Sequence, residues 1–219
     1  ENNMKYFLDT EFDEATGRIT LISIGIVSED GKRRFYAENA DYYTTDKTDP
    51  WVMENVLPKL RYWGKPWSET ASALTDDLNK QGQYGGLLNA DMMKSSLIYF
   101  FENETPEFWG YYADYDWVIF SWIFGRMVDK PANFPYFCMD LKQKMEMYGL
   151  SEAWKNEHCP DPAGEHNALV DAEWNRTLDQ AIDAYVGSLM QFPPLLRYTC
   201  RTCGNGALAD SPPPNTVCG

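Results

Sequence analysis

Four carboxylates and one histidine carry the chemistry that this sequence offers: Asp9 and Glu11 near the N-terminus, Asp116 in the middle, and His166 and Asp171 late in the chain. Carboxylate oxygens suit hard divalent cations such as Mg²⁺ and Mn²⁺. A neutral imidazole is a competent base near neutral pH. Divalent cations in an acidic cluster with a base beside them can activate a water and cut a phosphodiester. In Asp9-Thr10-Glu11 the acids stand two apart, so on an extended strand both point to one face. Taken alone, such a pair also fits a solvated strand end.

The other members are equally ambiguous in isolation. Tyr115-Asp116 falls where a strand hands over to a helix, so Asp116 would sit at the carboxyl edge of a sheet, where ligands bind in α/β folds. Asp114 competes with it, and either acid could cap the helix. Asp116 is expected as the ligand, with Asp114 as a cap or facing solvent. His166 precedes Asp171 by five residues, at the start of the longest helical stretch. Asp171, inside the first turns, would be a fixed ligand. His166, after Gly164-Glu165, would sit on a loop edge, free to swing towards a water. An acid in a first helical turn also has a purely structural use.

The elements that must position these residues follow from the apolar pattern. Lys5–Asp9, Arg18–Val27 and Arg33–Glu38 read as strands, with Asp30-Gly31 as a hairpin signal between the last two. Asp49-Pro50 reads as a helix start. Helices are expected over Ser68–Asn79, Ala90–Glu102, Trp117–Val128, Asp140–Tyr148 and Asn167–Val186, strands over Thr105–Tyr112 and Phe134–Met139, and turns over Gln81–Leu88. That order predicts an α/β fold: a ribonuclease-H-like mixed five-stranded sheet, three antiparallel strands then two parallel, with helices on both faces.

Phe7-Leu8-Asp9-Thr10-Glu11-Phe12, then Tyr115-Asp116, then His166-x4-Asp171 resemble, in order and spacing, the three motifs of the DEDDh 3′–5′ exonuclease superfamily. Leu21-Ile22-Ser23-Ile24-Gly25 and Trp51-Val52 running to Leu60 resemble its RNase-T-like small exoribonucleases. The resemblance covers residues 4 to 187. In one departure, the second motif often carries Asn a few residues before its Asp, and here that stretch reads Tyr112-Ala113-Asp114-Tyr115. The resemblance implies a two-metal hydrolysis with Mg²⁺ or Mn²⁺. Asp9, Glu11 and Asp171 would hold one ion, and Asp9, with Asp116 through water, the other. His166 would be the base, and the product a nucleoside 5′-monophosphate. It also implies that Phe12 packs on terminal bases; a core role for Phe12 is the alternative. Tyr115, like Trp51 and Trp117, is a further candidate for substrate contact. Relatives of this kind often dimerise, so a homodimer is expected.

Composition sets the remaining bounds. The net charge of −14 argues against a broad phosphate-tracking surface. Lys142 with Lys144, and Lys32-Arg33-Arg34, are the small basic clusters that could meet backbone phosphate. The charge therefore favours single-stranded 3′ ends or short overhangs, and the resemblance to small exoribonucleases implies that the strand is RNA. A 3′–5′ DNA exonuclease is the alternative, since no residue declares a 2′-hydroxyl contact; a catalytically silent nucleic-acid-binding module is a further one. No apolar run approaches the ~20 residues that span a bilayer, so no membrane partner is expected. The odd count of five cysteines favours a reducing cytoplasm over a disulfide framework. Glu1-Asn2-Asn3 read as a cloning remnant before Met4, residues 4–190 as the exonuclease domain, and 191–219 as a tail. In that tail Cys200, Cys203 and Cys218 could bind Zn²⁺ as a partial ribbon, with His158 or Cys159 as a fourth donor, or the tail could be flexible.

Overall fold

Strands β1 (Met4–Asp13), β2 (Thr20–Ser28) and β3 (Arg34–Asn39) form the antiparallel meander expected from the sequence. The computed structural model describes residues 3–44, 47–65, 83–102, 104–190, 196–199 and 206–209. The helix expected over Ser68–Asn79 and the cysteines at 200, 203 and 218 lie outside the described residues. The chain divides into two units, Glu1–Ala181 and Ile182–Gly219. The second contains a small antiparallel hairpin of Leu196–Thr199 and Gly206–Ala209.

The sheet of the first unit has six strands rather than five. The extra strand, β4 (Gln83–Leu88), pairs parallel with β3 from Arg34↔Gln83 to Asn39↔Leu88. Its Gly85-Gly86 pair reads as a turn in the sequence, but here it lets two backbones approach. Both glycines have positive φ, and a Cβ at Gly85 would lie 1.9 Å from the Tyr36 carbonyl oxygen. On the other side of β1, β5 (Pro106–Gly110) and β6 (Met139–Asp140) run parallel. The order is thus β4-β3-β2-β1-β5-β6. The strand expected over Phe134–Met139 shrinks to its last residue plus Asp140. Pro135 offers no N–H to a ladder, and Phe134 turns into the core.

Side-chain alternation divides the meander into two faces. Tyr6, Leu8, Ile24, Ile26, Phe35 and Ala37 pack in one cluster with Met93, Leu97 and Phe100 of α2 (Ala90–Phe100) and Phe120 of α3 (Asp114–Ile123). α1 (Pro50–Asn55) opens at Asp49, whose side chain accepts from Trp51 N, as its Asp-Pro start predicts. α3 begins three residues before the expected Trp117, with Ala113 at its N-cap. Asp114 is therefore an exposed first-turn residue and caps nothing. α4 (Leu141–Met147) follows β6 and is capped by Asp140. α5 (Glu152–His158), capped by Ser151, was not foreseen. α6 (Ala168–Met190) is the long helix. Ala168, Ala172, Asn175, Leu178 and Asp179 are among its buried residues.

Candidate active site

β1 outruns β5. Their pairing ends at Phe7↔Trp109, while β1 continues to Asp13 with only β2 beside it. A crevice opens at that step, beyond the carboxyl end of β5, where α/β sheets commonly hold ligands. It is a cleft of about 530 Å³, lined by Asp9, Glu11, Phe12, Asp116, His166 and Asp171 among others.

Asp9 and Glu11 share one face of β1, and α6 supplies the third acid to it. Its N-terminus lies directly on β2 at Gly25, the register partner of Asp9. A Cβ there would meet the Ala168 carbonyl oxygen at 2.1 Å, so only glycine admits the helix this close. Asn175, fully buried, donates from Nδ2 to the Leu8 carbonyl oxygen at 3.0 Å. It stands one helical turn after Asp171, so it locks that carboxylate beside β1. One oxygen each from Asp9, Glu11 and Asp171 then lies within 4.8 Å of the others.

Asp116 reaches the crevice from the opposite face. Thr10, between the two acids, points to that face by alternation. Its N–H and hydroxyl both donate to Asp116 Oδ1, at 2.9 and 2.5 Å. Asp116 therefore stands beside the trio, not in it. Asp140 accepts from Ala113 N at 2.8 Å and pins the turn into α3. Thr10, Asn175, Asp140 and Gly25 are the positioning residues that sequence reasoning missed. Thr10 left a trace through the parity of the Asp-Thr-Glu triplet.

His166 enters on the loop before α6 with φ +69°. Asp171 Oδ2 accepts from its backbone N–H at 2.9 Å and from Asn167 N at 3.2 Å. Its ring meets Trp51 edge-on at 4.9 Å. Lys59 Nζ donates to the Glu165 carbonyl oxygen, and Asn167 Nδ2 donates to the Lys59 carbonyl oxygen. The loop expected to swing is thus held at several points. Phe12 is half-buried, lines the cleft and meets Tyr115 edge-on at 5.6 Å. The basic clusters proposed for phosphate are engaged by acids: Lys142 by Glu146 and Glu152, Lys144 by Asp179, Lys32 by Asp30, Arg33 by Glu104 and Arg34 by Glu173.

Burial and crowding lift the acids' pKa values together. Burial raises Asp9 well above the usual carboxylate range, helped by the charges of Asp116, Glu11 and Asp171. Glu11 is pushed up to about 8 by burial, by the charges of Asp171 and Asp116, and by a hydrogen bond with Asp171. Burial raises Asp116 to about 6 despite the opposing Thr10 hydrogen bonds, and Asp171 to about 6 despite the His166 N–H. Crowded, buried carboxylates repel one another when ionised, and a divalent cation would offset that repulsion. The donor set, all hard oxygen, fits Mg²⁺ or Mn²⁺.

A stability prediction follows from the sign of these shifts. In their titration range the folded chain binds more protons than the unfolded chain, so stability falls as pH rises. The loss begins above the ordinary values of 3.8 and 4.5 and grows as pH passes about 6 and then about 8, with Asp9, raised well above its ordinary value, adding to it. In chelator, Tm is expected to drop by roughly 5–10 °C between the acid and alkaline ends of that window. Mn²⁺ should recover most of the drop at the alkaline end and little at the acid end. A chelated Tm that rises with pH would contradict the raised pKa values of the buried acids.

Residues 4–182 match the family described as the 3′–5′ exoribonuclease Rv2179c-like domain. The chain is 31% identical over 173 residues to the 3′–5′ exoribonuclease Rv2179c of Mycobacterium tuberculosis strain H37Rv, covering 77% of this chain and 87% of that protein. The same figures hold for 3′–5′ exoribonuclease MT2234.1 of strain CDC 1551. Among solved structures, the catalytic unit of Neurospora crassa Pan2, with protease and nuclease domains, is similar at a TM-score of 0.47 and 12% identity. That similarity covers 86% of this chain but 28% of the Pan2 chain.

Proposed function

Because the chain belongs to the Rv2179c-like 3′–5′ exoribonuclease family, we propose that it trims single-stranded RNA 3′ ends or overhangs by metal-dependent hydrolysis, releasing nucleoside 5′-monophosphates. The observation that carries this reading is the convergence of Asp9, Glu11 and Asp171 within 4.8 Å in a cleft that His166 also lines. Among the described residues no helix is long and apolar enough to cross a membrane. Cys138 and Cys159 are free thiols, in keeping with a cytoplasmic setting.

Asp9, Glu11 and Asp171 would hold one divalent ion, with Asp9 and Asp116 serving a second. When bound, the pair would supply an activated water and charge neutralisation at the leaving oxygen. The protein's own residues do the rest. Thr10 fixes Asp116 on its side of the crevice, and Asn175 fixes Asp171 on the other. His166, held at the cleft by its backbone and by Trp51, takes the proton of the attacking water. Phe12, backed by Tyr115, offers a ring to the terminal base. The engagement of the two basic clusters in ion pairs supports a grip on the strand's end rather than along its length.

The test is a time course on 5′-labelled RNA and DNA oligomers of matched sequence, with Mg²⁺, with Mn²⁺ and with chelator. A ladder shortening from the 3′ end, on RNA, only with metal, is the expected result. Internal cuts would overturn the exonucleolytic reading, and equal ladders on DNA would overturn the preference for RNA. Sedimentation of the same protein checks the expected homodimer.

A further inference from the structure

We propose that Tyr112 is a base-stacking platform at the mouth of the cleft that takes the face of an unpaired substrate nucleotide; this rests on the exoribonuclease reading above. Among the described residues only Tyr112 (φ +54°) and His166 (φ +69°) are non-glycine residues at positive φ, and both line the same cleft. Asn and Gly tolerate that conformation, whereas a tyrosine there is strained. Strain of this kind persists where surrounding structure over-determines it, and it gathers at ligand sites.

The over-determination is visible. Ala113, the next residue, is buried against Gly110 and donates its N–H to Asp140 at 2.8 Å, so the turn cannot relax. The strained residue also presents its ring outward, 61% exposed. Behind it stands a braced wall. Tyr111 meets Tyr112 edge-on at 4.7 Å and Trp174 at 5.2 Å. Trp174 Nε1 donates to the Pro160 carbonyl oxygen at 3.0 Å. Lys155, buried, lies 5.2 Å from the Trp174 ring and pairs with Asp161 at 2.8 Å. An exposed ring on an immobilised support loses little freedom when a base lands on it.

Chemistry then selects the ligand. The charged groups that line the cleft are nearly all acids, and its lysine is already paired, so phosphate attraction contributes little there. Stacking needs no charge and accepts any base, because every base has a π face. A base within a duplex cannot present that face to the wall, so the platform selects unpaired ends.

Tyr112→Asn removes the ring and relieves the backbone. Its Tm is expected at or above the wild-type value. Its KM for a short single-stranded oligoadenylate is expected to rise about tenfold or more, within the ~5–150-fold that one stacked base represents, with a far smaller change in kcat. Tyr112→Phe, which keeps the ring, should hold KM within about twofold. The Kd of the same oligomer, measured by anisotropy with Ca²⁺ in place of Mg²⁺, should follow KM. If Tyr112→Asn folds and both KM and Kd stay within about twofold of wild type, the platform is wrong and the exonuclease reading stands. If wild type binds the oligomer but never shortens it, the exonuclease reading fails, and the Kd comparison still decides the platform.

Discussion

Asp9→Asn is expected to lower the rate of 3′ shortening by at least ~10³-fold, the equivalent of ~4 kcal/mol of transition-state stabilisation, while raising the Tm of the chelated protein at alkaline pH. The two effects share one cause. Asp9 is crowded by Asp116, Glu11 and Asp171, and burial together with that crowding lifts its pKa. Replacing it with a neutral isostere removes a repulsion from the metal-free fold and, with it, the ligand that both proposed ions would share. Kinetics on a labelled RNA oligomer and a thermal melt of the same sample read both effects. The melt guards against a trivial outcome, because an inactive variant that had merely unfolded would melt lower. Full activity in this variant would sink the two-metal assignment.

His166→Ala is expected to cost about 10²–10⁴-fold in kcat, the usual worth of a positioned general base, while leaving metal binding intact. Asp171 takes a hydrogen bond from the backbone N–H of residue 166, not from the imidazole. Alanine keeps that N–H, so the carboxylate trio keeps its support. The shift of Tm by Mn²⁺ at alkaline pH should therefore survive, unlike in Asp9→Asn. Loss of both activity and the Mn²⁺ shift would instead make His166 a metal ligand. Alanine also inherits a φ of +69° that suits it poorly. His166→Asn, more tolerant of that backbone, controls for loop collapse.

Legibility in the sequence followed the range of the interactions. The meander, the Asp-Gly hairpin, the Asp49 cap and the long helix all rest on local periodicity and turn chemistry, and all appear. The motif acids were legible because their types and order are rare together. β4 was hidden because Gly85-Gly86 has turn composition, and only its pairing with β3 makes it a strand. The strand expected at Phe134–Met139 shortened for the converse reason: Phe134 enters the core and Pro135 has no N–H for a ladder, while Tyr136 and Phe137 stay exposed.

By itself the sequence determined which atoms were available: hard oxygen ligands, one well-placed imidazole, and two acids forced to a common face by strand parity. Tertiary structure decided their distances and their helpers. Gly25 admits α6 to the sheet, Asn175 seats Asp171, and Thr10 holds Asp116 on the far side of β1. It also turned Tyr112 from one aromatic among many into a strained, exposed ring at the site. Ligand identity is a property of side chains and can be read along a line. A site's spacing is set by contacts between residues more than a hundred positions apart, and these arise only when the chain folds.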